Sequence, residues 1–588
     1  MSYFTVINLI IFLTMIIVIM IIKVSYPDCT YDAIDGCAII ENPKNKKATI
    51  IDLLKQASEK YPNAPALKIK EGKTWKDVSY GEYYKKVKRF AQSLKHWLGD
   101  NVNVGIMGFN SPGWVYSHLG TMYNGGISVG LYPSSTSESC SYIIKNTNIE
   151  MLVVEDAIQL EKLIGINDSP IKLIIYYSPI NESIIEQFQV PVISMGNFMT
   201  QTNKLSKMPS LNDISTIIYT SGTTSDPKGV MISHKNIMTA LRKTIELFKT
   251  KSSINTLGHE HFISYLPLNH IAAQMLDIYL PIACLSTVWF ADKDALKSTL
   301  TNTIKEVRPT IFAGVPRVWE KIHEGIETKL STIGWKGNLS KTFIPQKIIY
   351  EMGMERCKLC ITTGAPVSDI SRQYLSSIGC KLYDIYGMSE TSGAISISGP
   401  NMSRIGSVGL PIMSVKIAKD GEILVKGDNL FAGYYEDPKE THKAFTKDKW
   451  FKTGDLGKLD VNGFLYVTGR KKEILITAGG ENIAVAPIET ALMEKLYTYC
   501  DYVIVIGDRK KFLSVLLVIK PKQKINDTIA MNAIEWANSK APSQTHTIKK
   551  YAIITNKFKI GNELTPTYKL KREYIQNKYW KQIKKMYE

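Results

Sequence analysis

The sequence lacks the features of small secreted and fibrous proteins. Its 8 cysteines are scattered over 588 residues without a disulfide framework, which is typical of a reducing compartment. Cys357 and Cys360 form one Cys-x-x-Cys pair, but no second pair completes a zinc site, so we interpret both as buried, inert thiols in a strand. No internal repeat or low-complexity tract is present. With 44% apolar and 21% charged residues, the composition excludes a disordered, collagen-like or polytopic membrane protein.

One apolar run stands out at residues 4–22, where nineteen residues carry no charge before Lys23. As a helix, this run would extend roughly 28 Å, about the thickness of a bilayer core. A cleaved signal peptide is the alternative, but the run is longer than a usual signal core and no clear cleavage site follows it. We therefore predict one transmembrane anchor at 4–22 and a linker at 23–47. The lysines that follow the run favour a body of the chain in the cytosol, and the endoplasmic reticulum is the membrane we expect.

The net charge of +18 indicates an anionic partner or simply a solvated, lysine-rich surface. Nucleotides, phosphorylated cofactors, acidic lipids and nucleic acids would all satisfy such a charge. The sequence contains no groove-reading motif and no aromatic-basic platform. A nucleic-acid partner is therefore not expected.

The body of the chain alternates helical and strand patterns. Apolar spacing predicts helices at 50–60 and 82–98, and buried runs predict strands at 102–107, 151–154, 172–177 and 215–219. Such alternation is typical of a doubly wound, parallel α/β sheet.

The strongest local signal follows the strand predicted at 215–219. Short hydroxyl side chains and a glycine let a loop surround phosphates with N–H and O–H donors, and a lysine adds positive charge. The segment does not fit the Walker pattern, so a Walker nucleotidase is not expected. The predicted phosphate-binding residues are Thr220, Ser221, Gly222, Thr223, Thr224, Ser225, Asp226, Pro227 and Lys228.

This loop and its flanks, residues 217–234, resemble the AMP-binding signature of adenylate-forming enzymes. The family's other motifs follow in order, so the resemblance covers about residues 48–588. It implies an α/β fold with a large domain at 48–468, made of doubly wound sheets and a small distorted barrel. A hinge at 469–473 and a small, mobile α+β domain at 474–588 would complete it. The family usually has glycine where this chain has Ser225, which would strain the loop if that position needs a positive φ.

The resemblance also implies roles for a segment that spans residues 383–391. Tyr386 would stack on adenine, Glu390 would hold Mg²⁺ through a hard carboxylate oxygen, and Thr391 would contact the α-phosphate. Asp455 would accept hydrogen bonds from the ribose hydroxyls. The neighbouring nucleotide-binding positions are Gly364, Ala365, Asp384, Gly387, Met388 and Ser389.

Further roles fall near the hinge and the C-terminus. Arg470 would meet the ribose or the phosphates, Lys472 would be the hinge residue, and Gly480 would let pantetheine pass close to its backbone. Lys569 would be the catalytic lysine that bridges the fatty carboxylate and the α-phosphate, although an error of register would select Lys571 instead.

His270 is the remaining candidate for catalysis, because the family places an aromatic residue or histidine near the acyl carboxylate. A helix-start or packing role is the alternative for this residue. Thr223 is assigned with Glu390 to the metal. The catalytic set is therefore Lys569, His270, Thr223 and Glu390.

The central motifs most resemble the bubblegum type of long-chain acyl-CoA synthetase. This branch implies a ligase that uses ATP, Mg²⁺ and CoA to convert a fatty acid into acyl-CoA through an acyl-adenylate. A membrane-tethered binder of fatty acid and ATP that has lost turnover is the alternative. The oligomeric state and the acyl chain length stay open. The motifs that carry this resemblance lie at 108–114, 263–274, 290–297, 313–321, 480–482 and 561–567.

Overall fold

The structure is a computed structural model, and it describes residues 47–166, 168–220, 227–252, 259–332, 344–478, 481–559, 561–565 and 570–588. The predicted anchor at 4–22 and nearly all of the predicted linker lie outside these residues. Within the described ranges, no helix is both long and apolar enough to cross a membrane.

An eight-stranded sheet forms the first half of the large domain. Six of its strands, from β8 to β7 in spatial order, run parallel. At the other edge of the sheet, β9 pairs antiparallel with both β8 and β19. In spatial order its strands are β19 (Gly433–Tyr434), β9 (Lys228–Ser233), β8 (Ile214–Thr220), β4 (Ser128–Leu131), β3 (Val104–Met107), β5 (Met151–Val154), β6 (Leu173–Tyr176) and β7 (Val192–Ser194).

Three further sheets complete the large domain. A mixed five-stranded sheet contains β12 (Ile311–Gly314), β13 (Leu359–Thr363), β14 (Leu382–Met388), β15 (Gly393–Ile397) and β16 (Leu410–Pro411). A mixed four-stranded sheet contains β10 (His261–Ser264), β11 (Thr287–Phe290), β1 (Pro65–Glu71) and β2 (Thr74–Ser79). An antiparallel four-stranded sheet contains β17 (Ser414–Ile417), β18 (Glu422–Lys426), β20 (Phe451–Leu459) and β21 (Leu465–Arg470).

Helices connect and cover these sheets. In chain order they are α1 (Ile50–Lys60), α2 (Tyr80–Leu98), α3 (Pro112–Asn124), α4 (Ser137–Asn146), α5 (Ala157–Glu161), α6 (Glu182–Ile185), α7 (Met195–Phe198), α8 (His234–Lys251), α9 (Ile271–Gln274), α10 (Leu280–Ala283), α11 (Leu300–Val307), α12 (Pro316–Thr332), α13 (Ile344–Met352), α14 (Asp369–Ser377) and α15 (Pro438–Ala444). A π-helical turn, Met275–Tyr279, separates α9 from α10.

The smaller C-terminal domain has its own sheets and core. The strand pair β22 (Ile474–Ile476) and β23 (Asn482–Ala484) precedes a three-stranded sheet of β24 (Cys500–Ile506), β25 (Leu513–Ile519) and β26 (Ile548–Ile554). Its helices are α16 (Val485–Leu496), α17 (Asp527–Ser539), α18 (Arg572–Lys578) and α19 (Trp580–Tyr587).

Local sequence explains why the first elements form where they do. Thr49 caps α1 and forms a capping box with Asp52, which satisfies donors that the first helical turn leaves open. Ile50, Leu53 and Leu54 then face the core and are fully buried, as helical spacing requires. All four residues of β5 are buried, as in a central strand covered on both faces.

Two sequence-based expectations differ from the structure. Where a distorted barrel was expected, the hydrogen-bonded order β17–β18–β20–β21 is that of an open sheet, since no pairing between β17 and β21 occurs among the described residues. Of the two cysteines expected inside a strand, only Cys360 lies in β13. Cys357 precedes the strand and is half-buried, with its Sγ 3.6 Å from that of Cys360. No metal-binding cluster of His, Cys, Asp or Glu occurs among the described residues.

Candidate active site

The predicted phosphate loop connects β8 to β9 as an antiparallel hairpin. Thr220 at the end of β8 pairs directly with Lys228 at the start of β9. Residues 221–226, which include Thr223 and Ser225, lie outside the described residues. The hairpin therefore places Thr220, Pro227 and Lys228 at the base of that loop.

Lys228 contacts one carboxylate and one aromatic ring. Its Nζ forms an ion pair with Glu440 and lies 5.2 Å from the ring centroid of Tyr434. Glu440 also pairs with Lys443, with 2.7 Å between Nζ and Oε1. Lys228 and then Lys443 hold the pKa of Glu440 at about 2, so this carboxylate is an anion at neutral pH.

Glu390 lies in a 3₁₀ turn, Ser389–Thr391, that directly follows β14. Its Oε1 accepts a hydrogen bond of 2.9 Å from the Tyr434 hydroxyl, and its carbonyl oxygen accepts one from the Phe431 N–H. A half-buried carboxylate with one oxygen engaged fits Mg²⁺, which proteins usually bind through one or two carboxylates together with substrate phosphates.

Thr391 is fully buried behind Glu390. Its Oγ1 accepts from the Met388 N–H at 3.2 Å and lies 2.7 Å from the carbonyl oxygen of Gly393. Gly387 pairs with β15 so closely that a Cβ would lie 1.9 Å from the Gly393 carbonyl oxygen. These residues hold the backbone of the turn in place, and the predicted phosphate contact of Thr391 stays a prediction.

Tyr386, Asp455 and Arg470 come together from three strands. Asp455 is buried in β20, where its Oδ2 accepts from the Tyr386 hydroxyl at 2.8 Å. Its Oδ1 accepts from Arg470 Nε at 2.9 Å. Burial and then the charge of Asp455 raise the pKa of Tyr386 well above its ordinary value. The arrangement therefore presents a fixed carboxylate, an aromatic ring and a guanidinium, which are the groups predicted for adenosine.

Asp384 has a different environment from these three residues. Its two carboxylate oxygens bind Arg372 in a fork, at 2.7 and 2.9 Å. Its N–H donates to Ser398 Oγ at 2.5 Å. The Asp384 side chain thus joins β14 to α14. This contact holds in place the strand that also carries Tyr386.

His270 begins a helix in the structure. It precedes α9, and its Nδ1 accepts a hydrogen bond of 3.2 Å from the Ala272 N–H. This is the helix-start role that the sequence left open. Because Nδ1 accepts, Nε2 is the ring nitrogen that can carry the proton and donate it. The predicted contact with the acyl carboxylate would use this nitrogen, and it stays a prediction.

The remaining predicted positions lie at turns between elements. Gly364 follows β13 with φ of +90°, a conformation that favours glycine, and Ala365 comes next. Lys472 is exposed in the 3₁₀ turn Lys471–Glu473, between the last strand of the large domain and the first of the small domain. Gly480 and Lys569 lie outside the described residues.

Sequence reasoning missed three residues of this site: Tyr434, Glu440 and Arg372. Tyr434 is 44 residues from Glu390, and Glu440 is 212 residues from Lys228. No local spacing connects such pairs. For Tyr434 and Glu440, the available signal was the polar and aromatic character of the residues that follow Gly433.

Two family models match most of the chain. The family model described as "AMP-binding enzyme" matches residues 54–435, and that of the "AMP-binding enzyme C-terminal domain" matches residues 472–588. The human protein named long-chain-fatty-acid–CoA ligase ACSBG2 is 36% identical, with 92% of each chain covered. The rat protein named long-chain-fatty-acid–CoA ligase ACSBG1 is 33% identical, over 92% of this chain and 86% of the relative.

Solved structures show the same fold at low identity. The adenylation domain of a carboxylate reductase from Mycobacterium chelonae superposes with a TM-score of 0.79 at 20% identity, covering 94% of this chain and 92% of that one. The anthranilate–CoA ligase AuaEII gives a TM-score of 0.73 at 17% identity, covering 90% and 97%. Taken together, the matches identify the chain as a member of the AMP-binding enzyme family and, within it, of the bubblegum type of acyl-CoA synthetase.

Proposed function

We propose that the chain is a long-chain-fatty-acid–CoA ligase, which converts ATP, a fatty acid and CoA into acyl-CoA, AMP and pyrophosphate. The observation that carries this proposal is 36% identity over 92% of both chains to a relative named for that activity. The grouping of Tyr386, Asp455 and Arg470 supports it, because these side chains offer the contacts that adenosine needs.

The first half-reaction would join the fatty carboxylate to the α-phosphorus of ATP, releasing pyrophosphate. Its main barrier is repulsion between anions, which positioned cations and N–H donors lower. Lys228 and Arg470 would supply positive charge, Asp455 would hold the ribose and Tyr386 the adenine. Glu390 would bind Mg²⁺, which neutralises phosphate charge when it is bound.

The second half-reaction would transfer the acyl group to the CoA sulfur and release AMP. By the family resemblance, the small domain rotates about Lys472 between the two half-reactions, so that Lys569 leaves and the segment with Gly480 approaches. The exposed turn Lys471–Glu473 between β21 and β22 supports this proposal, since hinges are a few residues at the ends of elements.

Residues 4–22 would anchor the enzyme in a membrane, with the catalytic body in the cytosol. The support for this proposal is the uncharged apolar run itself and the lysines that follow it. An endoplasmic reticulum location is the corresponding proposal for the cell. Fluorescent tagging of the full chain and of a variant with Leu9, Ile10 and Ile11 changed to Lys would test both.

The experiment that tests the activity uses the full chain in detergent with ATP, Mg²⁺, CoA and fatty acids from medium to very long chain length. Equal amounts of AMP and acyl-CoA are expected, and the panel then defines the chain length. Pyrophosphate without acyl-CoA would mean that CoA is not the acceptor. ATP binding without any turnover would favour the tethered binding protein, and Ser225→Gly would then be the first variant to make.

A further inference from the structure

Tyr434 contacts two of the charged groups proposed to bind the nucleotide phosphates and their cation, Glu390 and Lys228. Its hydroxyl donates to Glu390 Oε1 at 2.9 Å, and its ring centroid lies 5.2 Å from Lys228 Nζ. Lys228 belongs to the eight-stranded sheet, whereas Glu390 follows β14 of the five-stranded sheet. One side chain therefore connects the phosphate hairpin of one sheet to the metal carboxylate of the other.

The surroundings of Tyr434 fix its position. In β19 it pairs with Val230 of β9, and its N–H donates to Thr441 Oγ1 at 2.8 Å. The ring of Phe431 packs edge-on against it, with centroids 4.9 Å apart. The backbone of Tyr434 is therefore held by β9 and α15, and its ring by an aromatic neighbour, which restricts the directions in which its hydroxyl and ring can point.

The hydroxyl of Tyr434 engages one of the two carboxylate oxygens of Glu390. A hydrogen bond that a carboxylate accepts is stronger than one between neutral groups. Within the described part of the chain, the other oxygen, Oε2, has no hydrogen-bond donor, so it can face a cation.

We propose that Tyr434 is a positioning residue that orients Glu390 for the divalent cation through its hydroxyl and supports Lys228 through its ring. The proposal rests on the nucleotide-binding roles of Glu390 and Lys228 in the function proposed above. Partners that hydrogen-bond a metal-ligating carboxylate typically change metal affinity by about 10- to 100-fold when removed. The electron-rich face of an aromatic ring attracts a cation held over it.

Two substitutions separate these contributions. Tyr434→Phe removes the hydroxyl and keeps the ring, whereas Tyr434→Leu removes both. The matched control is Tyr435→Phe, because the side chain of Tyr435, the next residue along the chain, packs against a separate hydrophobic core. Thermal melting of each full-length variant checks that the fold persists.

Two binding measurements would be made on the full chain in detergent. One is Mn²⁺ affinity by electron paramagnetic resonance with a non-hydrolysable ATP analogue present. The other is affinity for that analogue in EDTA. Tyr434→Phe should weaken Mn²⁺ binding by about 10- to 100-fold and leave metal-free nucleotide binding within about twofold. Tyr434→Leu should weaken metal-free binding as well, by roughly two- to tenfold.

The outcomes distinguish a failure of the proposal for Tyr434 from a failure of the proposed function. If the unmodified chain binds no nucleotide, the proposed function itself fails. If it binds both probes and Tyr434→Phe keeps its Mn²⁺ affinity, Tyr434 does not position Glu390. An equal loss of Mn²⁺ affinity in Tyr435→Phe would likewise overturn the proposal, since a general effect on the strand would then explain both. Should Tyr434→Leu fail to fold, the Tyr434→Phe measurement still decides.

Discussion

Arg317 in the large domain binds Asp501 in the small domain, with 2.7 Å between the guanidinium nitrogen and Oδ1. A second ion pair of 2.6 Å joins Glu324 to Lys520. Both large-domain residues lie on α12. These contacts hold the domains in the arrangement seen here, and a rotating small domain would have to break them.

Weakening this interface should expose the hinge to protease. Asp501→Asn removes a partly buried charge pair, with 35% and 18% of the two side chains exposed, and such pairs contribute roughly 0.2–1 kcal/mol. Trypsin cleavage within residues 470–473 should therefore accelerate up to about fivefold, measured by fragment mass over time.

The control for this prediction is Glu494→Gln. Glu494 pairs with Lys540 at 2.6 Å, and both residues belong to the small domain. Cleavage of this variant should match that of the unmodified chain. Identical cleavage rates for Asp501→Asn and the control would show that the interface does not restrain the hinge.

Asp455 should dominate nucleotide affinity. Asp455→Asn keeps the size of the side chain but removes the charge that accepts from Tyr386 and Arg470, and hydrogen bonds to charged groups contribute about 1.5–3 kcal/mol. The dissociation constant for ATP should rise roughly 10- to 100-fold in calorimetry. Asp460→Asn is the matched control, because Asp460 also pairs with an arginine, Arg404, at 3.0 Å. Equal effects of the two substitutions would contradict the ribose role of Asp455.

The sequence predicted those parts of the structure whose signals are local. The helix over 50–60 and the strand over 151–154 have the predicted bounds, because apolar spacing and buried runs depend on neighbouring residues. The predicted strand at 215–219 likewise lies within β8, Ile214–Thr220, whereas the pairing of Thr220 with Lys228 was not predicted.

Contacts between segments that are distant along the chain could not be predicted from the sequence. The pairing of Lys228 with Glu440 and of Asp384 with Arg372 depends on how separate elements pack. His270 shows the same limit, because its residue type suits both a helix start and a ligand contact. Only the backbone around α9 shows which nitrogen accepts a hydrogen bond.

Glu440 should compete with nucleotide for Lys228. The structure holds this ammonium against a carboxylate whose pKa Lys228 keeps near 2, so phosphates must displace an anion. Glu440→Gln should therefore tighten metal-free binding of an ATP analogue, by roughly two- to fivefold for a partly exposed pair. Lys443→Gln removes the other partner of Glu440 and should not tighten binding. Weaker binding in Glu440→Gln would instead assign Glu440 a supporting role.

Asp277 should make the large domain less stable as pH rises. It is buried in the π-helical turn after α9, and burial raises its pKa to about 8, against the influence of a hydrogen bond with Ser264. Between its ordinary pKa near 3.8 and about 8, the unfolded chain carries the ionised group while the folded chain keeps it protonated. Unfolding then releases a proton, so stability falls across this window and levels off above it.

Asp277→Asn tests this dependence, because the amide is neutral at every pH. The urea midpoint of the unmodified chain should fall more between pH 6 and pH 9 than that of the variant. The variant should also be the more stable protein at pH 9. Parallel pH profiles would show that Asp277 does not bind its proton more tightly in the folded state.

Substitution of Lys569 or of Lys571 should affect the first half-reaction differently, according to which of them is the catalytic lysine. Lys571 donates to the Gly561 carbonyl oxygen at 2.7 Å, which favours a structural role for this residue and leaves Lys569 for the chemistry. Lys569→Ala should lower pyrophosphate release from ATP and fatty acid by about 100- to 1000-fold, as for the loss of one positioned donor. Transfer from supplied acyl-adenylate to CoA should persist, because that step would occur with the lysine withdrawn.

Lys571→Ala is the control, and it should retain both half-reactions unless loss of the hydrogen bond to Gly561 unsettles the fold, which a melting curve would reveal. A large loss of pyrophosphate release in Lys571→Ala but not in Lys569→Ala would move the catalytic role two residues along the chain. Equal loss of both half-reactions in Lys569→Ala would mean that the lysine serves binding or folding. Measuring the two half-reactions separately is therefore what distinguishes a lysine that acts in only one of two domain arrangements from one that is needed in both.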